Sequence, residues 1–447
     1  MHKINELNLF KQDIKSCTEH IKNTKALKKS FIVVLVYIIF TIACFFLVPL
    51  VIPIESTVIA NDFRIFYQSA QTIVVNPKQL YILPDYNMPF RYLPFFSILF
   101  VPYTLIPFEI AFIIHTLILG VVQTASFYLI YIISTRFYGI NYDKKVKSEL
   151  LFISLMAPLQ VVMILIGQIS HFFILLMLVV ILFMENARAK RYQIKYEFFL
   201  IGLFLGIGIS LKPFSILLIP LLIKPVINVR NNKSNLHLRN LIEILIGLLI
   251  SQSVNIIYLI FYPNLFQDFL DINFTTQLFN YPSTSITRLI SFLFNSFSIE
   301  AIIMLTFTFL LYGLSYSTYL ITPLEKTNYP VFFGTILLIV MIIFTDSWFL
   351  NFFIFAMLIL PGLFQFENEL ATTSSEHLKK RLKITNFIMY KIIHYGVLYF
   401  TIGVVLGMTI FPTDPVMPFF LIFFYIILLW RLFRIRYEKS SNIKINS

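Results

Sequence analysis

The sequence has few charged residues and almost no cysteine. Only 13% of its 447 residues are Asp, Glu, Lys or Arg, whereas 58% are hydrophobic and 17% are aromatic. This composition leaves too little polar surface for a water-soluble chain of this length. Cys17 and Cys44 are the only cysteines, which excludes a disulfide framework and disfavours a cysteine-based metal site. The sequence therefore indicates a polytopic integral membrane protein.

Motifs of several other protein classes are also missing. No Asp-x-Asp pair and no glycine-rich phosphate loop occurs in the sequence, so a metal-dependent nucleotide-sugar site is not supported and we expect a site without a metal ion. No internal repeat of fixed period is visible, which disfavours transporter folds built from paired halves. The net charge of +13 is not arranged as a basic groove interleaved with aromatic residues, so we expect no nucleic-acid partner.

Long apolar segments recur along the chain and predict an all-α membrane protein. A helix of about 20 apolar residues crosses the hydrocarbon core while satisfying its own backbone hydrogen bonds. The first run, 31–54, exceeds the roughly 7 to 15 apolar residues of a signal peptide, so we interpret it as an uncleaved anchor. The other segments that bring the prediction to about twelve spans are 110–134, 149–166, 168–184, 198–211, 213–227, 240–262, 299–321, 330–345, 347–366, 387–411 and 417–433.

The lysines and arginines orient these spans. Cytoplasmic loops of membrane proteins carry an excess of positive charge, so the lysine-rich segment before the first span is predicted to be cytoplasmic. The same alternation assigns most basic loops to the cytoplasmic side, where they contact anionic lipid headgroups. The predicted outer-side cations are Arg64, Lys78, Arg91, Lys212 and Arg288.

This topology divides the chain into three parts. Residues 1–30 are a cytoplasmic basic tail, 31–433 are the transmembrane domain, and 434–447 are a second cytoplasmic basic tail. The predicted location is the cell membrane, or the endoplasmic reticulum membrane if the host is a eukaryote. Both termini then lie in the cytoplasm.

The first outer loop, about 55–109, is the longest segment predicted on the outer side. Its apolar part, 93–107, is short and interrupted by prolines. Treating it as a full span would also move the basic segment 136–147 to the outer side, against the positive-inside rule. We therefore expect an interfacial or re-entrant helix there.

Polar residues of the outer side converge at one depth by this span count. Asp62 follows the first span directly, Gln168 and His171 lie between the third and fourth spans, and Lys212 lies between the fifth and sixth. One carboxylate with cations and amides at a single membrane face suits transfer from a lipid phosphate. The cations hold the leaving phosphate, and the carboxylate takes a proton from the incoming hydroxyl.

The same region resembles a known family. Its short motifs share an order along the chain: Asp62-x-x-x-x-Tyr67-x-x-Ala70, Leu80-Tyr81, Phe90-x-Tyr92-x-Pro94, Gly167-Gln168, and Gly202-x-x-x-Gly206 leading to Leu211-Lys212-Pro213. This order, over about residues 60–225, resembles the polyprenol-phosphate-mannose-dependent mannosyltransferases of glycosyltransferase family 87, which have the GT-C fold. The resemblance implies a sugar donor on a polyprenyl or dolichyl phosphate and an active site on the extracytoplasmic face.

The resemblance also implies roles for individual residues. Asp62 is the expected base of an inverting displacement at the anomeric carbon, and Lys212 and Arg288 then offset the charge of the departing phosphate. The residues expected to bind sugar or acceptor are Tyr67, Tyr81, Tyr92, Gln168 and His171. The expected partners are membrane lipids, the lipid-linked donor and a glycan or glycolipid acceptor, with no cofactor. The oligomeric state is open.

Other interpretations stay open at this point. Asp62 can be a solvated carboxylate, Lys212 can extend toward the membrane surface, Arg288 can be a surface anchor and His171 can be hydrogen-bonded within the bundle. The tyrosines, taken singly, are typical of an interfacial belt. The alternative functions are a polytopic transporter or lipid flippase and a non-catalytic GT-C-like membrane subunit.

Overall fold

The structure is a computed structural model, and it describes most of the chain. The described residues are 4–53, 58–82, 89–140, 157, 159–230, 233–275, 283–294, 297–344, 347, 350–372, 376–407 and 417–443. Within them the fold is helical apart from one short antiparallel hairpin, formed by β1 (Ile227–Arg230) and β2 (Lys233–Leu236). The prediction of a helical class is thus confirmed.

We label sixteen α-helices in the described part of the chain. They are α1 (Ile4–Asn23), α2 (Lys25–Leu47), α3 (Asn61–Val75), α4 (Pro94–Phe100), α5 (Phe108–Ile132), α6 (Leu159–Ile166), α7 (Ser170–Ala189), α8 (Glu197–Leu211), α9 (Leu238–Phe261), α10 (Asn264–Leu270), α11 (Ile286–Phe294), α12 (Phe297–Ile321), α13 (Tyr329–Ile343), α14 (Leu350–Thr372), α15 (Glu376–Gly407) and α16 (Met417–Ile443). Further short helical turns are Val48–Leu50, Pro77–Gln79, Val101–Leu105, Ile133–Phe137, Pro213–Leu222, Ile223–Val226, Asp271–Thr275 and Leu324–Lys326.

Several of these helices are long and apolar enough to cross a membrane. By length and composition the candidate spans are Leu27–Leu50, Phe108–Phe137, Ser170–Ala189, Leu238–Phe261 and Ile302–Ile321. Shorter apolar helices pack among them, and α13 is buried along its whole length. The membrane character of the chain follows, whereas the count of about twelve spans and the GT-C-like arrangement stay predictions. Half of the predicted third span, 149–166, lies outside the described residues.

In two segments the structure adds detail to the sequence prediction. The lysine-rich segment before residue 31 is helical, because α1 occupies it and α2 begins at Lys25. The proline-rich segment 93–107 forms α4 followed by one tight helical stretch, Val101–Leu105. Twelve residues rise by only about 18 Å, which is shorter than a hydrocarbon core of about 30 Å. The placement of this segment at a membrane interface stays a prediction.

The helix α5 sets the distance between two polar ends of the molecule. At its start, the ring of Phe108 lies 5.6 Å from the ring of Phe63, one residue after Asp62. Beyond its end, the Arg136 guanidinium contacts the Asp13 carboxylate of α1 at 2.8 Å. The apolar helical run Phe108–Phe137 has 30 residues, so the two ends lie about 45 Å apart. We call them the Asp62 end and the Asp13 end.

The helices α8 and α9 approach each other closely through glycines. A side chain on Gly202 would collide with the backbone of Ile244, and one on Gly247 would collide with the carbonyl of Phe199. Small residues at such positions let helix backbones pack in van der Waals contact. The Gly202-x-x-x-Gly206 motif is thus a helix-packing surface, and it fixes the position of α8, whose end carries Lys212.

Candidate active site

The backbone places Asp62 in the first turn of α3. The helix follows Ala60, which has a left-handed conformation with φ of 55°, and the Ala60 amide donates a hydrogen bond to the Leu165 carbonyl of α6 at 2.8 Å. The start of α3 is thereby joined to the end of α6. The Asp62 side chain is buried, and its carboxylate lies at the positive end of the helix dipole.

A glycine turn brings Gln168 to Asp62. Gly167 has φ of +73°, and a Cβ at this position would lie 2.6 Å from Cβ of Phe63. A residue with a side chain is therefore strained there in both conformation and space. Directly after the turn, the Gln168 amide nitrogen donates to Oδ2 of Asp62 at 2.5 Å, and its oxygen accepts from the Ile169 amide at 2.8 Å. The second bond fixes the orientation of the Gln168 amide.

A buried histidine supports the same turn. The ring of His115, on α5, contacts the Gly167 carbonyl through Nε2 at 3.1 Å and the Tyr103 hydroxyl through Nδ1 at 3.3 Å. It also stacks on Phe63 with ring centroids 4.8 Å apart. His115 thus joins the turn that carries Gln168 to the helix that carries Asp62.

Lys212 completes the cluster from a third direction. It is the first residue after α8, in an extended conformation, and its amide donates to the Gly208 carbonyl. Its ammonium lies 5.7 Å from the centre of the Tyr92 ring, a cation–π distance. Tyr92 is also within electrostatic reach of Asp62, Gln168 and Arg91. Asp62, Tyr92, Gln168 and Lys212 therefore meet in one place, which we call the Asp62 cluster.

Burial and mutual attraction set the charges of the Asp62 cluster. Burial raises the pKa of Asp62 to about 6, against the opposing effects of the Lys212 charge and the Gln168 hydrogen bond. Burial lowers the pKa of Lys212 to about 8, against the attraction of the Asp62 carboxylate. Burial, and then the Asp62 charge, raise the pKa of Tyr92. Near neutral pH the cluster thus holds an ionised carboxylate and a protonated amine.

Two predicted sugar-binding tyrosines have structural partners. The Tyr67 hydroxyl donates to the Ile106 carbonyl at 2.9 Å, and its ring packs edge-on against Phe108. The Tyr81 hydroxyl donates to the Tyr92 carbonyl at 2.7 Å. Tyr81 therefore supports the backbone of Tyr92. A direct role of Tyr67 or Tyr81 in binding sugar stays a prediction.

His171 lies one turn beyond Gln168, in the first turn of α7. Its side chain is fully buried beside the ring of Phe353, and neither ring nitrogen forms a hydrogen bond with the described residues. It is also within electrostatic reach of His115. A buried imidazole without such a bond is costly, and a polar ligand group is one way to satisfy it.

Arg288 lies on α11, in a serine- and threonine-rich segment. The Thr284 amide donates to the Ser347 carbonyl at 3.0 Å, the Thr287 hydroxyl donates to the Ile343 carbonyl at 2.6 Å, and the Arg288 amide donates to the Ser285 hydroxyl at 3.1 Å. These bonds fix the start of α11 against α13. A contact of Arg288 with the donor phosphate stays a prediction. The span count also predicts residues 280–282, 346 and 348 on the outer side, and these lie outside the described residues.

An apolar cleft of about 520 Å³ begins beside the Asp62 cluster. Leu93, the neighbour of Tyr92, and Pro213 and Phe214, the neighbours of Lys212, lie on its wall. The opposite wall comes from α12 and α13, including Phe309 and Ile343. The cleft thus combines a charged mouth with an interior suited to a hydrocarbon chain.

His115 is a residue of this site that was not predicted from the sequence. A signal was present, because a histidine inside a predicted span is rare and often functional. Its partner, the Gly167 carbonyl, is 52 residues away along the chain and becomes visible only in the fold.

No curated protein and no solved structure matches the chain. The family model of glycosyltransferase family 87 matches residues 90–344, a little over half of the sequence. The matched region contains Tyr92, Gln168, His171, Lys212 and Arg288, and it begins after Asp62. The resemblance in the sequence is thus confirmed, and it extends further toward the C-terminus than residue 225. The chain belongs to glycosyltransferase family 87.

Proposed function

We propose that this membrane glycosyltransferase moves mannose, or another hexose, from a polyprenyl or dolichyl phosphate to a hydroxyl of a lipid-linked or glycan acceptor. The observation that carries the proposal is the Asp62 cluster, with a buried carboxylate and a partly buried ammonium, beside an apolar cleft. A lipid-linked sugar consists of a prenyl chain, a phosphate and a sugar, in that order. The apolar cleft suits the prenyl chain, and the Asp62 cluster suits the phosphate and the sugar.

Asp62 is the general base in this proposal. Its Oδ2 is held by Gln168, so we assign Oδ1 to take the proton from the acceptor hydroxyl. The acceptor oxygen then bonds to the anomeric carbon as the bond from that carbon to the phosphate oxygen breaks, which inverts the configuration. A base whose pKa is about 6 is largely unprotonated at neutral pH and remains basic enough to accept a proton.

Lys212 stabilises the leaving phosphate. The lipid phosphate gains negative charge as its bond to the sugar breaks, and Lys212, whose side chain is partly buried, lies next to Pro213 and Phe214 of the cleft wall. Two unit charges 4 Å apart interact by about 4 kcal/mol at an effective dielectric constant of 20. Gln168 and His171 lie on the same side and supply polar groups for sugar or phosphate oxygens, whereas Tyr92 offers a ring face.

The orientation of the chain follows from its charges. The Asp13 end gathers the basic segments around Arg136 and Arg191, and the Asp62 end holds few cations. By the positive-inside rule we assign the Asp13 end and both termini to the cytoplasm, and the Asp62 cluster to the extracytoplasmic face of the cell membrane. A lipid-linked donor suits that face, where soluble nucleotide sugars are not supplied.

The test is transfer of labelled mannose from synthetic polyprenyl phosphate mannose into the lipid and glycan fractions of membranes. Wild type is compared with Asp62→Asn and with Glu109→Gln, an exposed carboxylate of the same end, at matched expression. We expect Asp62→Asn to reduce transfer about 100-fold to 10,000-fold and Glu109→Gln to leave it unchanged. Equal transfer by Asp62→Asn and wild type would remove Asp62 from the mechanism. No transfer by folded wild type from mannose, glucose or galactose donors would contradict the enzyme proposal and favour a non-catalytic subunit.

A further inference from the structure

A second apolar groove lies at the Asp13 end, far from the Asp62 cluster. It has a volume of about 480 Å³ and lies between the amphipathic helix α1 and the membrane-spanning helices α5 and α7. Its wall includes Phe10 and Ile14 of α1, Ile132 of α5 and Val179 of α7. Both the size and the lining suit a hydrocarbon chain.

Positive charge surrounds one end of this groove. The Asp13 carboxylate accepts hydrogen bonds from Arg191 at 2.9 Å and from the Tyr192 hydroxyl at 2.6 Å, and it pairs with Arg136 at 2.8 Å. Within the described contacts a single carboxylate therefore serves two guanidinium groups, which leaves one positive charge in excess. Both guanidinium side chains remain 29% exposed, so they are open to a further anion.

The chain geometry joins these charges to the groove. Asp13 is the neighbour of Ile14, and Arg136 lies one turn beyond Ile132. Successive residues of an α-helix are rotated about the helix axis by about 100°. On α1 this rotation places Lys11 and Lys15 along one edge of the stripe that faces the groove, and Asp13 along the other edge. Lys11 and Lys15 are exposed, and the Lys15 ammonium lies 3.9 Å from the Glu19 carboxylate. Lys11 on one edge, and Arg136 with Arg191 on the other, thus border the groove with cations.

We propose that this groove binds an anionic phospholipid of the leaflet at the Asp13 end. One acyl chain occupies the groove, and the phosphate contacts the exposed edges of Arg136 and Arg191. The lipid then lies between α1 and the bundle and holds them together. This proposal does not depend on the transferase mechanism, because α5 separates the groove from the Asp62 cluster.

The test is the lipid that the full-length purified protein retains. After exchange into detergent with equal amounts of phosphatidylglycerol and phosphatidylcholine, native mass spectrometry measures each bound lipid. We expect about fivefold preference for phosphatidylglycerol, since one basic residue near an anionic surface contributes about that factor. Equal retention of both lipids would overturn the proposal.

Two pairs of variants separate the groove from bulk effects. Ala125→Trp fills the groove and leaves every charge in place, whereas Leu117→Trp puts the same ring on an exposed position of the same helix. Arg191→Gln removes one cation of the groove, and Lys29→Gln removes one exposed cation of α2. We expect the first member of each pair to lose the retained lipid or its selectivity, and the second to behave as wild type.

Thermal unfolding in detergent gives an independent readout. Added phosphatidylglycerol should raise the unfolding temperature of wild type and of Leu117→Trp, but not of Ala125→Trp. Glycerol phosphate, which has the headgroup without acyl chains, should have no effect. Stabilisation by glycerol phosphate equal to that by the lipid would show a simple anion site and overturn the assignment of the groove.

Discussion

The hydrogen bond from Gln168 to Asp62 predicts a specific change in the pH dependence of transfer. In the wild type the base must be ionised, so the rate falls as the pH drops through about 6, the pKa of Asp62. The amine must be protonated to hold the phosphate, so the rate falls as the pH rises through about 8, the pKa of Lys212. The expected profile is a bell between these values.

Replacement of Gln168 by leucine should move the acid limb alone. The Gln168 amide donates to the ionised carboxylate, and a hydrogen bond to a charged group contributes about 1.5 to 3 kcal/mol. Because one pKa unit corresponds to about 1.36 kcal/mol, loss of the bond should raise the pKa of Asp62 by about 1 to 2 units. The pH range of high activity then narrows from the acid side. The maximum rate also falls, because a smaller fraction of Asp62 is ionised at every pH.

The assay is the initial rate of transfer between pH 5 and pH 9 at donor concentrations well below KM, in membranes of matched protein content, because that rate reports the pKa values of the free enzyme. Gln168→Glu is not a useful comparison because it adds a second carboxylate, whereas Gln160→Leu removes a buried amide of α6 elsewhere. We expect the Gln160→Leu profile to keep both wild-type limbs. An acid limb that stays at about pH 6 in Gln168→Leu would refute the assignment of that limb to Asp62.

Three further substitutions test the framework of the site. Lys212→Met keeps the length of the side chain and removes its charge. Transfer should therefore fall by up to about a thousandfold, and the alkaline limb of the pH profile should disappear. An unchanged alkaline limb would contradict the role of Lys212. Gly167→Ala should lower the free energy of unfolding by about 2 kcal/mol, because φ of residue 167 is positive and Phe63 occupies the space of the new methyl group. The control Gly313→Ala faces open space in α12 and should leave the free energy of unfolding unchanged. Thermal unfolding in detergent compares the two variants. Gly247→Ala should also destabilise the protein relative to Gly313→Ala, because the new methyl group separates α8 from α9, and equal stability of the two variants would contradict the close approach.

Hydropathy predicted the ends of helices α8 and α9 closely. The predicted segment 198–211 corresponds to α8, Glu197–Leu211, and 240–262 corresponds to α9, Leu238–Phe261. Backbone groups in a bilayer must be satisfied within the segment, so the apolar run and the helix share their ends. Before residue 31 the charge pattern predicted only a basic tail and gave no helix boundary, whereas the structure has α1 there and begins α2 at Lys25. Lysine favours helices, so a lysine-rich segment forms a helix without any hydropathy signal.

The site was predictable by residue type but not by contact. The span count predicted that Asp62, Gln168 and Lys212 lie at the same depth in the membrane. In the structure these three residues lie close together. The contact of Asp62 with Gln168 spans 106 positions and depends on a turn at Gly167, which no local pattern encodes. The span count also placed Arg288 at the same depth as these three residues. It could not show that Arg288 is buried beside α13, because that position depends on how α11 packs.

The length of α5 has an electrostatic consequence. Its two ends lie about 45 Å apart, a separation at which two unit charges interact by only about 0.4 kcal/mol at an effective dielectric constant of 20. The ion cluster around Asp13 therefore exerts almost no field on the titration of Asp62. A change in headgroup composition or a charge substitution at the basic end would alter how the protein sits in its bilayer without shifting its pH optimum. Attachment to the membrane and proton transfer are thus separately adjustable within one bundle.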